Sequence, residues 1–249
     1  MGLDPAIGVV VDRVAAALAS QGARAVVLVG SHVTGDATPD SDIDLAVIGD
    51  GPPYRLEIQD ARLVAVSWAD ADEQRRRLYD PDLLGTHVPG WQHAIVLSDR
   101  DGIAERIRQE ALDWRWEKVE ADCDRWVAAW VTGLAEEVLK VVASLRAGND
   151  LNAAMQRSVI ALRLAKALAI HRRILCGSEN RLWGVVADEL GPSWRAAQAS
   201  ALGLDDADLE ASCRSALVLF DLAVEEVRVL LDDRQRAVVD HARSLARAL

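Results

Sequence analysis

The chain is poor in several things that would assign it to a class at once. It has only three cysteines in 249 residues: Cys123, Cys176 and Cys213 stand far apart, with no Cys-x-x-Cys pair and no histidine cluster at zinc-finger spacing. A disulfide framework and a structural zinc site are therefore not expected, and the three thiols read as buried apolar side chains of a reducing compartment. No apolar run approaches the ~18 residues of a membrane span. The first residues lack the basic-then-apolar layout of a signal peptide, and Met1-Gly2 is followed by Ala6 where an acylation signal has Ser or Thr. The expectation is a cytoplasmic protein with no membrane partner. Positive charge is also short: 28 Lys and Arg against 39 Asp and Glu leave a net charge of -11, which argues against bulk nucleic-acid binding by phosphate neutralisation. There is no internal repeat and no low-complexity linker.

What the chain does have is hydrophobic content of 51%, ample for a buried core, arranged in two distinct patterns. Up to about residue 102 the pattern mixes helix and strand. Asp4 caps and Pro5 opens a helix with the stripe Ile7, Val10, Val11, Val14 and Leu18, ended by Gly22. Ala25 to Val29 is a continuous apolar run stopped by Gly30, and it reads as a strand buried on both faces. Ile43 to Ile48 alternates in the manner of a second strand and sets Asp42 and Asp44 on one side. Arg55 to Gln59 and Arg62 to Trp68, joined around Asp60-Ala61, read as an antiparallel hairpin, and Ala94 to Leu97 as a fifth strand. Asp70 and Glu73 form a capping-box variant for a helix whose Arg75, Arg76 and Arg77 read as a solvated face.

Beyond residue 103 helical spacing takes over. One long helix is expected from Val119 to Leu145 and another from Asp150 to Leu175; shorter ones lie around Arg181 to Leu190 and Trp194 to Leu202, and a further long one starts near Asp205. The fold class is thus α+β: a small mixed sheet domain over 1–102 followed by an all-α helical bundle over 103–249.

The chemistry is concentrated in Gly30 to Leu45, GSHVTGDATPDSDIDL. A strand that ends in Gly30-Ser31 lets the backbone approach a phosphate with no Cβ in the way. Ser31 adds a hydroxyl, a turn starting there aims free N–H groups at the anion, and Gly35 permits the tight return. Asp42 and Asp44, alternate residues on the next strand, can share a hard cation such as magnesium. These residues resemble the nucleotidyltransferase superfamily typified by DNA polymerase β and the kanamycin-type antibiotic nucleotidyltransferases. That family's pattern is Gly-Ser, a further Gly, then Ser-Asp-x-Asp, matched here by Gly30, Ser31, Gly35, Ser41, Asp42 and Asp44. The layout of N-terminal helix, small mixed sheet and helical C-terminal region is similar as well.

The resemblance implies magnesium bound by Asp42 and Asp44, a nucleoside triphosphate held at Gly30, Ser31, Gly35 and Ser41, and transfer of AMP from ATP to a hydroxyl of a small-molecule or protein acceptor. The helical region is the expected acceptor-binding part. The family usually adds a third carboxylate on a later strand, whereas the Arg62 to Trp68 strand has none and carries Ala65 where the acid is expected. Glu57 on the preceding strand is the candidate replacement, against its reading as a solvated hairpin residue; Asp60 and Asp70 are poorer candidates, and an acid of the helical region is a further alternative. The missing acid keeps a second reading open, a catalytically impaired nucleotide-binding or antitoxin-like interaction protein. Acceptor, base preference and oligomeric state stay undetermined, a homodimer among the options. Of the remaining features, His32 reads as a permissive loop position, and Trp126 and Trp130 as packing. Arg163, Lys166, His171, Arg172 and Arg173 read as a solvated helix face. Arg236 and His241 have the Arg-x4-His spacing of HEPN ribonucleases, a match short enough to arise by chance.

Overall fold

The computed structural model describes residues 3–249, so Met1 and Gly2, where an acylation signal would fall, lie outside the described residues. The chain divides into two compact units. The first runs to Val119 and also takes in Leu175–Glu179; the second comprises Glu120–Ile174 and Asn180–Leu249.

The first unit is built in the order α1 (Pro5–Ser20), β1 (Ala25–Val29), α2 (Ser31–Thr34), β2 (Ile43–Ile48), β3 (Tyr54–Gln59), β4 (Arg62–Ala69), α3 (Ala71–Arg77), α4 (Leu84–Gln92), β5 (Ile95–Asp99) and α5 (Ile103–Leu112). Its five strands form one mixed sheet in the order β3-β4-β2-β1-β5. The β2–β4 pair is parallel and the others are antiparallel.

Pairing register assigns every strand residue to a face. Val26, Leu28, Ile43, Leu45, Val47, Val64, Val66 and Trp68 share one face and form a core with the apolar stripe of α1. That burial holds the sheet flat against one helix. The opposite face carries Val29, Asp44, Ala65 and Leu56 in a single lateral row, so the motif carboxylate lies on the side away from α1. Asp60 and Ala61 have φ of 48° and 61°, the two left-handed residues of a two-residue hairpin turn. Arg13 of α1 reaches Asp60 at 2.9 Å and fastens the turn to the helix.

The first unit extends past the expected boundary near residue 102. Asp99 at the end of β5 caps α5, accepting from the N–H groups of Ile103 at 2.8 Å and Glu105 at 3.0 Å. Trp114 then donates its indole N–H to the Leu78 carbonyl at 2.8 Å. Helical periodicity here marks a helix of the sheet unit and not the start of the bundle. The structure also contains α4, a stretch that the sequence reading leaves unassigned and that holds Gly85, Pro89 and Gly90 within it. Pro89 has no N–H to give the Gly85 carbonyl four residues back. That carbonyl accepts instead from Cys176 at 2.8 Å, so a distant segment repairs the helix and is drawn into the first unit.

The second unit consists of α6 (Glu120–Gly133), α7 (Ala135–Arg146), α8 (Asp150–His171), α9 (Glu179–Leu190), α10 (Pro192–Ala201), α11 (Leu209–Val227) and α12 (Asp233–Arg247). The helix expected from Val119 to Leu145 is divided at Leu134, directly after Gly133, whose missing side chain lowers helix propensity there. The one expected to reach Leu175 ends at His171, with Arg173 turned to φ 59°. The last expected helix is two. A turn of 3-10 helix ends α11, and Asp232 with Gln235 forms a capping box that restarts the chain as α12. Among the described residues no helix is long and apolar enough to cross a membrane.

Candidate functional site

The site begins where β1 runs out. Gly30 has φ 78° and ψ -158°, a conformation that L side chains rarely adopt. A Cβ on Gly30 would overlap the Asp44 carboxylate, whose Cγ would lie 3.0 Å from it. The glycine is therefore required twice, by the backbone and by the neighbouring strand. The chain turns into α2, and Gly35, at φ 84° and ψ 12°, ends it with its N–H donated to the Ser31 carbonyl at 3.1 Å. A helical turn starting at Ser31 leaves its first N–H groups with no intrahelical acceptor. Thr34 at the end of this turn is backed by Gly177, where a Cβ would come within 3.0 Å of the Thr34 methyl. The Leu175–Glu179 return therefore supports the loop from behind, a feature with no local sequence signal.

Ser41, expected at the nucleotide, stands in the loop directly ahead of Asp42. Its hydroxyl accepts from the Thr38 N–H at 2.8 Å and lies 3.2 Å from the Thr38 hydroxyl. It closes the loop ahead of Asp42 and thereby aims the acidic pair. Asp42 and Asp44 are half-buried, and neither carboxylate has a hydrogen bond or ion pair among the described residues. Burial first, and the Asp42 charge second, push the Asp44 carboxyl up from its ordinary 3.8 to about 6. Two neighbouring carboxylates with no cation beside them are the donor set that suits a hard divalent ion. No group of three or more potential ligands occurs among the described residues, so other oxygens, such as those of a triphosphate, would have to complete the coordination.

The position of the missing third acid is now defined. Ala65 is the direct parallel partner of Asp44 and is 4% exposed. Glu57 does not replace it. The two-residue turn pairs Glu57 with Val64, which puts it on the α1 face, where it pairs with Arg55 at 3.5 Å. Asp60 sits in the turn against Arg13, and Asp70 caps α3 by accepting from Glu73 at 2.7 Å. The parity that excludes Glu57 was available from the sequence once the turn was taken as two residues long.

Several of the other singled-out residues are occupied elsewhere. Arg76 and Arg77 bond Glu73, and Arg75 pairs with Glu110. Trp126 and Trp130 stack at 4.7 Å with 28° between planes, and the Trp130 indole donates to the Arg163 carbonyl at 3.2 Å. Arg236 is held at the start of its own helix by the Leu231 carbonyl and Asp233. His32 Nε2, inside the loop proposed for the phosphate, is buried with no hydrogen-bond partner.

The raised Asp44 pKa has a measurable consequence. Between about pH 4 and pH 6 an unfolded chain releases this proton while the native protein keeps it. The metal-free protein therefore carries a stabilising contribution that is full below pH 4 and lost by about pH 6, at most ~3 kcal/mol. Magnesium with a nonhydrolysable nucleotide should raise the melting temperature clearly near pH 7.5 and much less near pH 5. Equal shifts at the two values would argue against Asp44 as the cation's ligand.

A mixed sheet with Gly-Ser after one strand and an Asp-x-Asp pair leading into the strand beside it defines a nucleotidyltransferase-type protein. Residues 11–112 match the family described as nucleotidyltransferase domain, and this part of the chain belongs to that superfamily. No curated protein matches the chain. A nucleotidyltransferase-like protein from Exiguobacterium sibiricum 255-15, known as a crystal structure, is similar with a TM-score of 0.53 and 12% identity, over 90% of this chain and 75% of that one. At that identity the likeness is one of fold.

Proposed function

We propose that the chain is a magnesium-dependent nucleotidyltransferase that moves AMP from ATP to a hydroxyl group of an acceptor. The observation that carries the reading is the convergence of Gly30 on Asp44: the backbone turn suited to a phosphate and the unpaired carboxylates suited to its cation are in contact. Gly30, Ser31 and the first N–H groups of α2 would hold the triphosphate. Asp42 and Asp44 would hold the magnesium, which when bound offsets charge on the leaving pyrophosphate. Ser41 keeps the acidic pair in place. The helical unit is the proposed acceptor-binding part. The test is incubation with magnesium and α-labelled ATP across hydroxyl-bearing small molecules and cell protein. Label transfer with release of pyrophosphate is expected, and its absence over a broad acceptor set would count against transfer.

The second reading, nucleotide binding without efficient transfer, is favoured by one observation, the alanine opposite Asp44. Ala65→Asp distinguishes the two. It would put a carboxylate beside Asp44 on the same face, and a positioned base is worth roughly 10²- to 10⁴-fold. A transferase complete without it should gain nothing in rate from Ala65→Asp, while a chain impaired by its absence should gain at least ~100-fold, the low end of that effect.

A further inference from the structure

β3 is the outermost strand of the sheet, and its free edge is unusually apolar. Trp68 donates to the Pro53 carbonyl at 3.1 Å. That bond fixes the alternation of the β3–β4 ladder: Pro53, Arg55, Glu57 and Gln59 face β4, while the N–H and C=O groups of Tyr54, Leu56 and Ile58 point outward. The side chains of these same three residues lie on the Asp44 face and are 60%, 53% and 65% exposed. Charges or an irregularity commonly protect such an edge. Here the two charges of the strand, Arg55 and Glu57, lie on the other face and pair with each other.

We propose that this edge pairs with β3 of a second copy of the chain, antiparallel, about a two-fold axis at Leu56. The strand is complementary to itself in that register and no neighbouring one. Leu56 meets the partner's Leu56 in a hydrogen-bonded pair, and Tyr54 meets the partner's Ile58, an aromatic against a β-branched residue. Arg55 meets the partner's Glu57 in the closer, non-hydrogen-bonded spacing, where opposite charges attract most. Every contact occurs twice. The five strands of each copy then join in one continuous sheet, with both acidic pairs on the same face. Pro52 and Pro53 limit the ribbon to the length of β3. So short an interface falls below the ~1,200 Å² of stable complexes, and the dimer is concentration-dependent.

The full chain is examined by sedimentation velocity over a dilution series. The mass should rise from 27.0 kDa toward twice that value. Leu56→Lys should abolish the rise while leaving the melting temperature unchanged, since Leu56 is exposed. Arg55→Glu alone and Glu57→Arg alone should each weaken association roughly 10-fold, because each puts like charges opposite one another twice. The double exchange Arg55→Glu, Glu57→Arg should restore it. A chain that stays monomeric throughout, a dimer indifferent to Leu56→Lys, or a double exchange no better than the single ones would each overturn the proposal.

Discussion

Asp44→Asn is expected to abolish nucleotidyl transfer while leaving the protein folded and, without metal, more stable than the wild type above about pH 6. The two halves have one cause. Asp44 is half-buried beside Asp42, and both effects disfavour its charge, so the native protein at neutral pH carries an electrostatic load that asparagine removes with almost no change in shape. The gain is bounded by the shift itself, at most ~3 kcal/mol. The same charge is what a divalent cation would need. Its loss should reduce transfer by roughly 10²- to 10³-fold or more. A functional carboxylate that opposes stability is a familiar trade, and a melting curve beside a rate measurement shows both sides. Asp44→Asn that is less stable than the wild type at neutral pH, or that keeps its rate, would contradict the assignment.

Gly30→Ala is expected to lose activity to a similar extent for a different reason, and to lose stability as well. The methyl group would overlap the Asp44 carboxylate, and the backbone is held at φ 78°. That backbone conformation, open essentially to glycine alone, costs another residue ~1–3 kcal/mol, and forcing a methyl into a packed position adds ~1–3. Denaturant unfolding should thus report a loss of about 2–6 kcal/mol. Because part of the loss is a collision with one named side chain, it should not add to the effect of removing that side chain. Gly30→Ala combined with Asp44→Ala should be measurably less destabilised than the sum of the single changes. Strict additivity would mean that the two residues are not in contact.

The parts of this protein that were legible in the sequence are those set by short-range rules. The second strand carries Asp44, with Asp42 just ahead of it and near enough for its charge to act on Asp44, and Gly30 follows the end of the first strand as read. The lack of a carboxylate on β4 was visible at Ala65, which the structure places opposite Asp44. What was not legible depends on partners far along the chain. α4 survives Gly85, Pro89 and Gly90 because Cys176 supplies the hydrogen bond that Pro89 cannot. α5 reads as the first helix of a bundle until Asp99 and Leu78 are seen to hold it and its following turn to the sheet unit. The bond from the Thr38 N–H to the Ser41 hydroxyl, which closes the loop ahead of Asp42, was likewise not part of the motif reading. Glu57 belongs to a third kind of miss. Its face was derivable from the turn length, since one residue of register exchanges the two faces of a strand.

We read Gly30-Ser31 and the Asp42, Asp44 pair as one nucleotide and cation site. Calorimetric titration of the full chain with a nonhydrolysable ATP analogue, with and without magnesium, tests it most directly. Saturable binding that requires magnesium and disappears in Asp44→Asn is the expected result. Binding that is indifferent to magnesium, binding that persists in Asp44→Asn, or no binding with magnesium present would contradict the account.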